Sequence, residues 1–118
     1  MIIDKLAVYG TLRNGSRDIG LVNGFKLAYP GHKNFPVAIP SKDAKKLVVE
    51  VIDVDIADLV GYDRYEGVDS GLYERRQVKV DINGEDIDAW MYSIGTLMYN
   101  DVGVFEEIEG KDWLNRLT

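Results

Sequence analysis

The dipeptide Asn83-Gly84 constrains this chain more than any other feature. A two-residue Asn-Gly loop between alternating runs signals a tight β-hairpin and fixes the register of everything counted outward from it. Ile82 then pairs with Glu85, Val80 with Ile87, Val78 with Ala89 and Arg76 with Met91, giving a mostly apolar face. The opposite face pairs Lys79 with Asp88, Gln77 with Trp90, Arg75 with Tyr92 and Tyr73 with Ile94, the opposite charges and aromatic partners that cross-strand neighbours favour. Because side chains alternate along a strand, Tyr73, Arg75, Trp90 and Tyr92 share one surface. That surface is either an aromatic core layer or one wall of a pocket.

A helix precedes the hairpin. Asp55 is a good N-cap type, Asp58 suits the positive end of the helix dipole, and Ile56, Leu59 and Val60 recur at helical spacing, so a helix is expected over Ile56 to Tyr65. Gly67 is a natural C-terminal stop. Glu66 then lies at the negative end of a short helix, where a carboxylate is disfavoured and holds its proton more tightly. The bland alternative is a solvated surface Glu.

A chain of 118 residues is expected to form a single domain, residues 1–118. With 46% hydrophobic and 29% charged residues it has the mix of an ordinary globular protein, and no apolar run approaches the ~18 residues of a membrane span. No membrane association is expected. The first residues, Met-Ile-Ile-Asp-Lys, lack the pattern of a signal peptide, and a cytoplasmic location is expected. The absence of cysteine removes disulfides, thiolate nucleophiles and zinc-thiolate sites together. Fourteen basic against twenty acidic residues give a formal charge of −6, which repels phosphate backbones, so nucleic acid is not an expected partner. The densest basic group, Lys42, Lys45 and Lys46, reads as a solvated loop. Nothing in the sequence sets the oligomeric state.

In chain order, Lys5 to Tyr9 reads as a strand, and the turn Gly10 to Gly15 follows it. Such a turn either presents N–H groups to an anion or merely reverses the chain. Ser16 to Val22 is read as one helical turn and Gly24 to Tyr29 as a strand. Pro30, Pro36 and Pro40 then demand an irregular path, with a short edge strand over Phe35 to Ile39. Leu47 to Val54 is apolar at nearly every position, as befits a strand covered on both sides in the middle of a sheet. Neither a dinucleotide fingerprint nor a phosphate loop is present. His32 is the sole histidine and no serine sits in a Gly-x-Ser-x-Gly elbow, which argues against a hydrolytic triad. Asp53, Asp55 and Asp58 lack the central glycine and distal glutamate of a calcium loop, so no metal is expected.

Tyr9-Gly10-Thr11-Leu12-Arg13, Phe35-Pro36-Val37-Ala38-Ile39, Tyr65-Glu66-Gly67, Tyr73-x-Arg75-x-x-Val78-x-Val80, Ala89-Trp90-Met91-Tyr92 and Gly110-Lys111-Asp112-Trp113 run in order through nearly the whole chain. Together they resemble the gamma-glutamylcyclotransferase-like family, in its compact branch similar to gamma-glutamylamine cyclotransferase. The resemblance implies an α+β fold, a small mixed β-barrel, closed or nearly so, with a few short helices and one pocket at its mouth. It also implies an enzyme, a transferase- or lyase-type cyclotransferase that converts a gamma-glutamyl amide or dipeptide into 5-oxoproline and a free amine. The position of Glu66 matches the family's catalytic acid/base, and Tyr9, Gly10, Thr11 and Leu12 match the loop that holds the glutamyl end. Two departures stand out: Arg64-Tyr65 precedes the glutamate without a leucine-aspartate pair, and the tail after Trp113 is short. The alternative on the same fold is a non-catalytic small-molecule binding or regulatory module.

The residues suit that chemistry independently. Lactam formation requires the substrate's α-amino group to lose a proton before its nitrogen attacks the γ-carbonyl, so one base is needed and no cofactor. Glu66 is the candidate base. Amides of the turn are placed for the α-carboxylate or for the oxyanion at the γ-carbon. Tyr73 and Tyr92 are candidates to line the pocket, while Arg75 is expected to line it or to stack on Tyr92.

Overall fold

The computed structural model describes residues 2–15, 17–31 and 33–116. Its elements follow in the order β1 (Ile3–Val8), β2 (Ile19–Val22), β3 (Phe25–Pro30), β4 (Val37–Pro40), β5 (Leu47–Asp55), α1 (Ile56–Tyr65), β6 (Tyr73–Ile82), β7 (Glu85–Ile94), α2 (Thr96–Asp101) and β8 (Phe105–Glu107). Five strands curl into a closed, barrel-like sheet in the order β1-β5-β2-β6-β7, and β4-β3-β8 form a second sheet. Among the described residues no helix is long and apolar enough to cross a membrane.

The hairpin β6–β7 has the register counted from its turn, Ile82 opposite Glu85 out to Tyr73 opposite Ile94. Asn83 (φ 53°) and Gly84 (φ 87°) both adopt positive φ, the backbone a tight primed turn needs, and the Gly84 amide donates to Asp81 Oδ1 at 2.8 Å. β5 runs between β1 and β2, antiparallel to both, as its apolar run predicts. The remaining seams are short. β1 meets β7 in parallel at Leu6 and Trp90, and β2 meets β6 at Leu21 and Asp81.

Strand alternation feeds two cores. Ala7 and Tyr9 join Leu47, Val49, Val78, Val80 and Met91 in one, completed by Leu27, Ile108 and Trp113 from the second sheet and the tail. Leu6 and Val8 join Leu59, Tyr73, Tyr92 and Ile94 in the other, which α1 enters through Leu59. In α1 only Leu59 is buried. Ile56 and Val60, which share the helical spacing, face solvent. The stretch read as a helical turn before Val22 is instead the strand β2, because Gly20 sits so close to the barrel wall that a Cβ there would lie 2.3 Å from Val80 Cγ1. Ser16 lies outside the described residues. The edge strand expected from Phe35 begins at Val37.

One polar residue breaks the apolar run of β5. The Glu50 side chain is fully buried, and its carboxylate accepts from Arg13 Nε at 2.8 Å and from the amides of Asn14 and Gly15 at 3.1 Å each. Arg13, itself buried, donates onward to Asp112 Oδ1 at 2.7 Å, next to the core residue Trp113. Three distant segments are tied to one carboxylate. Burial pushes the Glu50 carboxyl up, but the Arg13 guanidinium and the two amides outweigh it and hold the carboxyl below its usual range.

Arg13→Met, which strips a buried carboxylate of its buried counter-charge and leaves only the more distant, partly exposed Arg17, is expected to cost roughly 3–5 kcal/mol, read as a lower urea midpoint at unchanged slope. In the parent protein the stability that Glu50 supplies is complete above the ordinary carboxylate pKa of about 4.3 and is lost as pH falls through its depressed folded value. The urea midpoint therefore falls steeply below about pH 4, and an acid-insensitive midpoint would contradict this role.

Candidate active site

A cavity of about 580 Å³ opens where the end of β1, the end of α1 and the near ends of β6 and β7 meet. Each of Tyr9, Gly10, Thr11, Leu12, Glu66, Tyr73 and Tyr92 lines it, although up to 83 residues separate Tyr9 from Tyr92 in sequence. Two devices bring the opposite walls to their places.

The first is the turn after β1. The Arg13 amide donates to the Gly10 carbonyl at 3.0 Å, closing a β-turn that makes no use of the amides of its central residues, Thr11 and Leu12. Gly10 is required by close approach, since a Cβ there would lie 2.8 Å from Pro36 Cγ. Arg17 Nη1 steadies the turn's far side by donating to the Leu12 carbonyl at 3.0 Å. The buried Arg13–Glu50 pair anchors its base.

The second device ends α1. Gly67 adopts φ 67°, its amide donates to the Arg64 carbonyl at 3.2 Å, and the Val68 amide donates to the Asp63 carbonyl at 2.9 Å. These two bonds are the Schellman stop, and they make Glu66 the C-cap residue. Asp63, one turn earlier, faces the hairpin, where its Oδ1 accepts from Tyr92 Oη at 2.7 Å and from Arg75 Nε at 2.8 Å. The helix end carrying Glu66 is thereby fastened to β6 and β7.

Burial raises the Glu66 carboxyl above the usual carboxylate range. Its negative charge is felt in turn by Tyr9, Tyr73 and Tyr92. Desolvation pushes all three phenols well above the ordinary tyrosine value, and the Glu66 charge adds to the shift. The three hydroxyls therefore stay protonated at neutral pH. Among the described residues that line the cavity, Glu66 is the only acidic side chain and none is basic. Among the described residues no three acidic or histidine side chains are grouped to hold a metal ion.

The shared aromatic surface of the hairpin divides in two. Tyr73 and Tyr92 line the cavity, whereas Trp90 lies outside its lining and donates Nε1–H to Asp4 Oδ2 at 2.9 Å. Arg75 does not stack on Tyr92. Its guanidinium lies 4.3 Å from the Trp90 ring centroid while Nε holds Asp63, because that carboxylate draws it toward the helix. Sequence reasoning did not single out Asp63 or Glu50. Asp63 falls three residues before Glu66, one helical turn, and that spacing was its only signal. Phe35 and Pro36 also line the cavity, and His32, the sole histidine, lies outside the described residues.

The family model described as gamma-glutamyl cyclotransferase, AIG2-like, matches residues 6–115. No curated protein matches. Among solved structures, an AIG2-like protein from Mus musculus superposes with a TM-score of 0.69 at 23% identity, covering 81% of this chain and 80% of that one. A structure named gamma-glutamyl cyclotransferase gives 0.64 at 20% identity over 90% of this chain and 70% of that one. A uropathogenic E. coli-specific protein gives 0.71 at 16% identity over 96% and 94%. At such identities these likenesses establish the fold.

Tyr92→Phe removes a hydrogen bond to a charged acceptor while leaving the ring in place, and a loss of about 1.5–3 kcal/mol in urea unfolding is expected. Far-UV circular dichroism should not change. A variant as stable as the parent would show that the Asp63–Tyr92 bond does not fasten the helix end.

Proposed function

The chain belongs to the gamma-glutamyl cyclotransferase, AIG2-like family, and on that premise we propose that it converts a gamma-glutamyl amide or dipeptide into 5-oxoproline and a free amine, with Glu66 as general acid/base. The observation that carries this reading is the placement of one half-buried carboxylate and the Gly10–Leu12 turn on walls of the same cavity.

The proposed reaction needs one base and one site for negative oxygen. Glu66 removes a proton from the substrate's α-amino group, and the nitrogen attacks the γ-carbonyl carbon to form the new C–N bond of the lactam. The attacking nitrogen gives up its second proton as the oxyanion collapses and the original amide C–N bond breaks, and the two protons shed by the α-ammonium, relayed in turn through Glu66, leave on the departing amine as its ammonium. With no basic side chain among the described lining residues, the amides of Thr11 and Leu12 and the neutral hydroxyls of Tyr9 and Tyr73 are the donors available to a negative substrate oxygen. Tyr9, Tyr73 and Tyr92 serve as neutral hydroxyls along the floor. In this reading all of the chemistry comes from the chain's own groups and the cofactor list is empty. Holding the substrate's amine against its γ-carbonyl supplies the remaining advantage.

The direct test is incubation with a panel of gamma-glutamyl dipeptides and gamma-glutamyl amines, with 5-oxoproline read by mass spectrometry. Release of free glutamate would identify an amidase, and no turnover of any member would favour a binding module. Glu66→Gln keeps the shape and deletes the base, so kcat is expected to drop roughly 10²-fold or more. Because burial raises the Glu66 carboxyl, the folded state holds its proton more tightly than the unfolded state, and the associated stability is lost as pH rises through the folded value. Glu66→Gln should therefore melt above the parent at pH 7 while being less active, and the parent's kcat/KM, which reports the ligand-free enzyme, should climb with pH through a midpoint above the ordinary carboxylate value of about 4.3. A variant that keeps full activity on a true substrate would end the assignment of Glu66.

A further inference from the structure

The cavity is graded from a polar floor to an apolar mouth. Tyr9, Tyr73 and Tyr92 are buried at its base around Glu66, whereas Leu12, Phe35, Tyr65 and Leu72 ring its opening. These four are among the large apolar and aromatic side chains that the fold leaves in water. Leu12 is 50% exposed and Tyr65 85% exposed, although neither position contributes to the core. Large hydrophobic side chains gathered at one opening are a feature of ligand-binding clefts, since solvation alone would favour polar residues there.

Resting on the cyclotransferase reading above, we propose that the amine this protein releases is uncharged beyond its amide nitrogen and apolar, an alkyl or arylalkyl amine in place of an amino acid or a diamine. The glutamyl head carries both of the substrate's obligatory charges, an ammonium and a carboxylate. Their partners, Glu66 and the turn amides, line the same cavity. The leaving amine then extends through the mouth. A carboxylate on it would lie beside four apolar side chains and share its sign with Glu66 and with a chain of net charge −6. No basic side chain among the described lining residues would compensate its lost hydration. An ammonium on it would be drawn in at long range by the net charge but would lose hydration at a mouth that, among the described lining residues, offers no carboxylate besides Glu66. An alkyl or aryl group gains from the same surface by leaving water. A cavity of about 580 Å³ also has the size that encloses a drug-sized molecule, more than a glutamyl group alone requires.

Three size-matched amides test this: gamma-glutamyl-butylamide, the gamma-glutamyl amide of aminobutyrate, and gamma-glutamyl-diaminobutane. They present a methyl, a carboxylate and an ammonium at the same reach, and kcat/KM for 5-oxoproline release is measured for each. The butylamide is expected to exceed both charged amides by about tenfold or more. In the double variant Phe35→Ser, Tyr65→Ser, most of that preference should disappear through a higher KM for the butylamide. Equal or faster turnover of either charged amide overturns the inference and leaves the cyclotransferase reading standing. A preference that survives the double variant unchanged removes the apolar mouth as its cause and overturns the inference too. If none of the three yields 5-oxoproline, and a wider panel of gamma-glutamyl compounds yields none either, both readings fall together.

Discussion

The fold depends on a charge placed where charges are costly. Glu50 stands in the middle of the most apolar strand of the chain, fully out of water, and such a carboxylate is tolerated only when paired and hydrogen-bonded. Among the described residues, every partner it uses belongs to the first loop: the Arg13 guanidinium, the Asn14 and Gly15 amides, and the Arg17 guanidinium at 3.4 Å. The loop is held to β5 because moving it away would abandon a charge inside the core. Through Asp112 the same arginine draws in the tail, where Trp113 packs edge-on to Tyr29 at 5.6 Å and Arg116 covers it at 3.6 Å. A replacement by well-packed apolar residues would hold the strand equally well. What the ion pair adds is a defined position for the backbone between Gly10 and Arg13, which forms one wall of the cavity.

The opposite wall reaches its place by a different route. A helix C-terminus is a poor site for a carboxylate, yet the Schellman stop fixes Glu66 there and burial raises its proton affinity further. A carboxylate set against a local rule on a firmly capped helix end is what the proposed role of Glu66 calls for. Asp63 supplies the rigidity by joining the last helical turn to Tyr92 and Arg75 across the gap to the hairpin. The two anchors also differ in exposure. Glu50 is sealed inside the fold, whereas Asp63 keeps about a quarter of its side chain in solvent, so the first holds the fold and the second adjusts the site.

What the letters disclosed tracks how local each interaction is. The hairpin register was readable in full because one Asn-Gly turn fixes every pair outward from it, and the helix was readable from Asp55 to Gly67 because both of its ends carry capping residues. The cavity lining was reached through motifs matched in order along the chain. Arg13 and Glu50 were not seen as partners, since 37 residues separate them and Glu50 is one polar letter in an apolar strand. β8 was missed because three residues carry too little periodicity to register, and it exists only through pairing with β3. α2 has no side-chain cap on its leading Gly95 and no charge in its first turn, so the usual starting signals were missing. Arg75 was placed on the correct face and beside the correct strand, but its partner was settled by Asp63, which reaches across from another element.

The proposed reaction turns on how one carboxylate shares protons with its surroundings. An unshifted glutamate at about 4.3 facing an α-ammonium at about 7.7 to 8.0 must move its proton uphill by roughly 5 kcal/mol, and each unit of upward shift removes about 1.4 of that. Burial supplies a shift in the helpful direction, whereas the substrate's own ammonium, once docked beside Glu66, pulls the carboxyl back down. The three phenols add no competing proton acceptor, because desolvation and the Glu66 charge keep them neutral. A proton taken from the substrate thus has one acidic side chain to rest on among the described residues that line the cavity. Once the attacking nitrogen has become part of an amide it is no longer basic, while the departing nitrogen has become an amine. The same carboxylate is therefore a sufficient acid for the second half of a reaction in which it serves as base for the first.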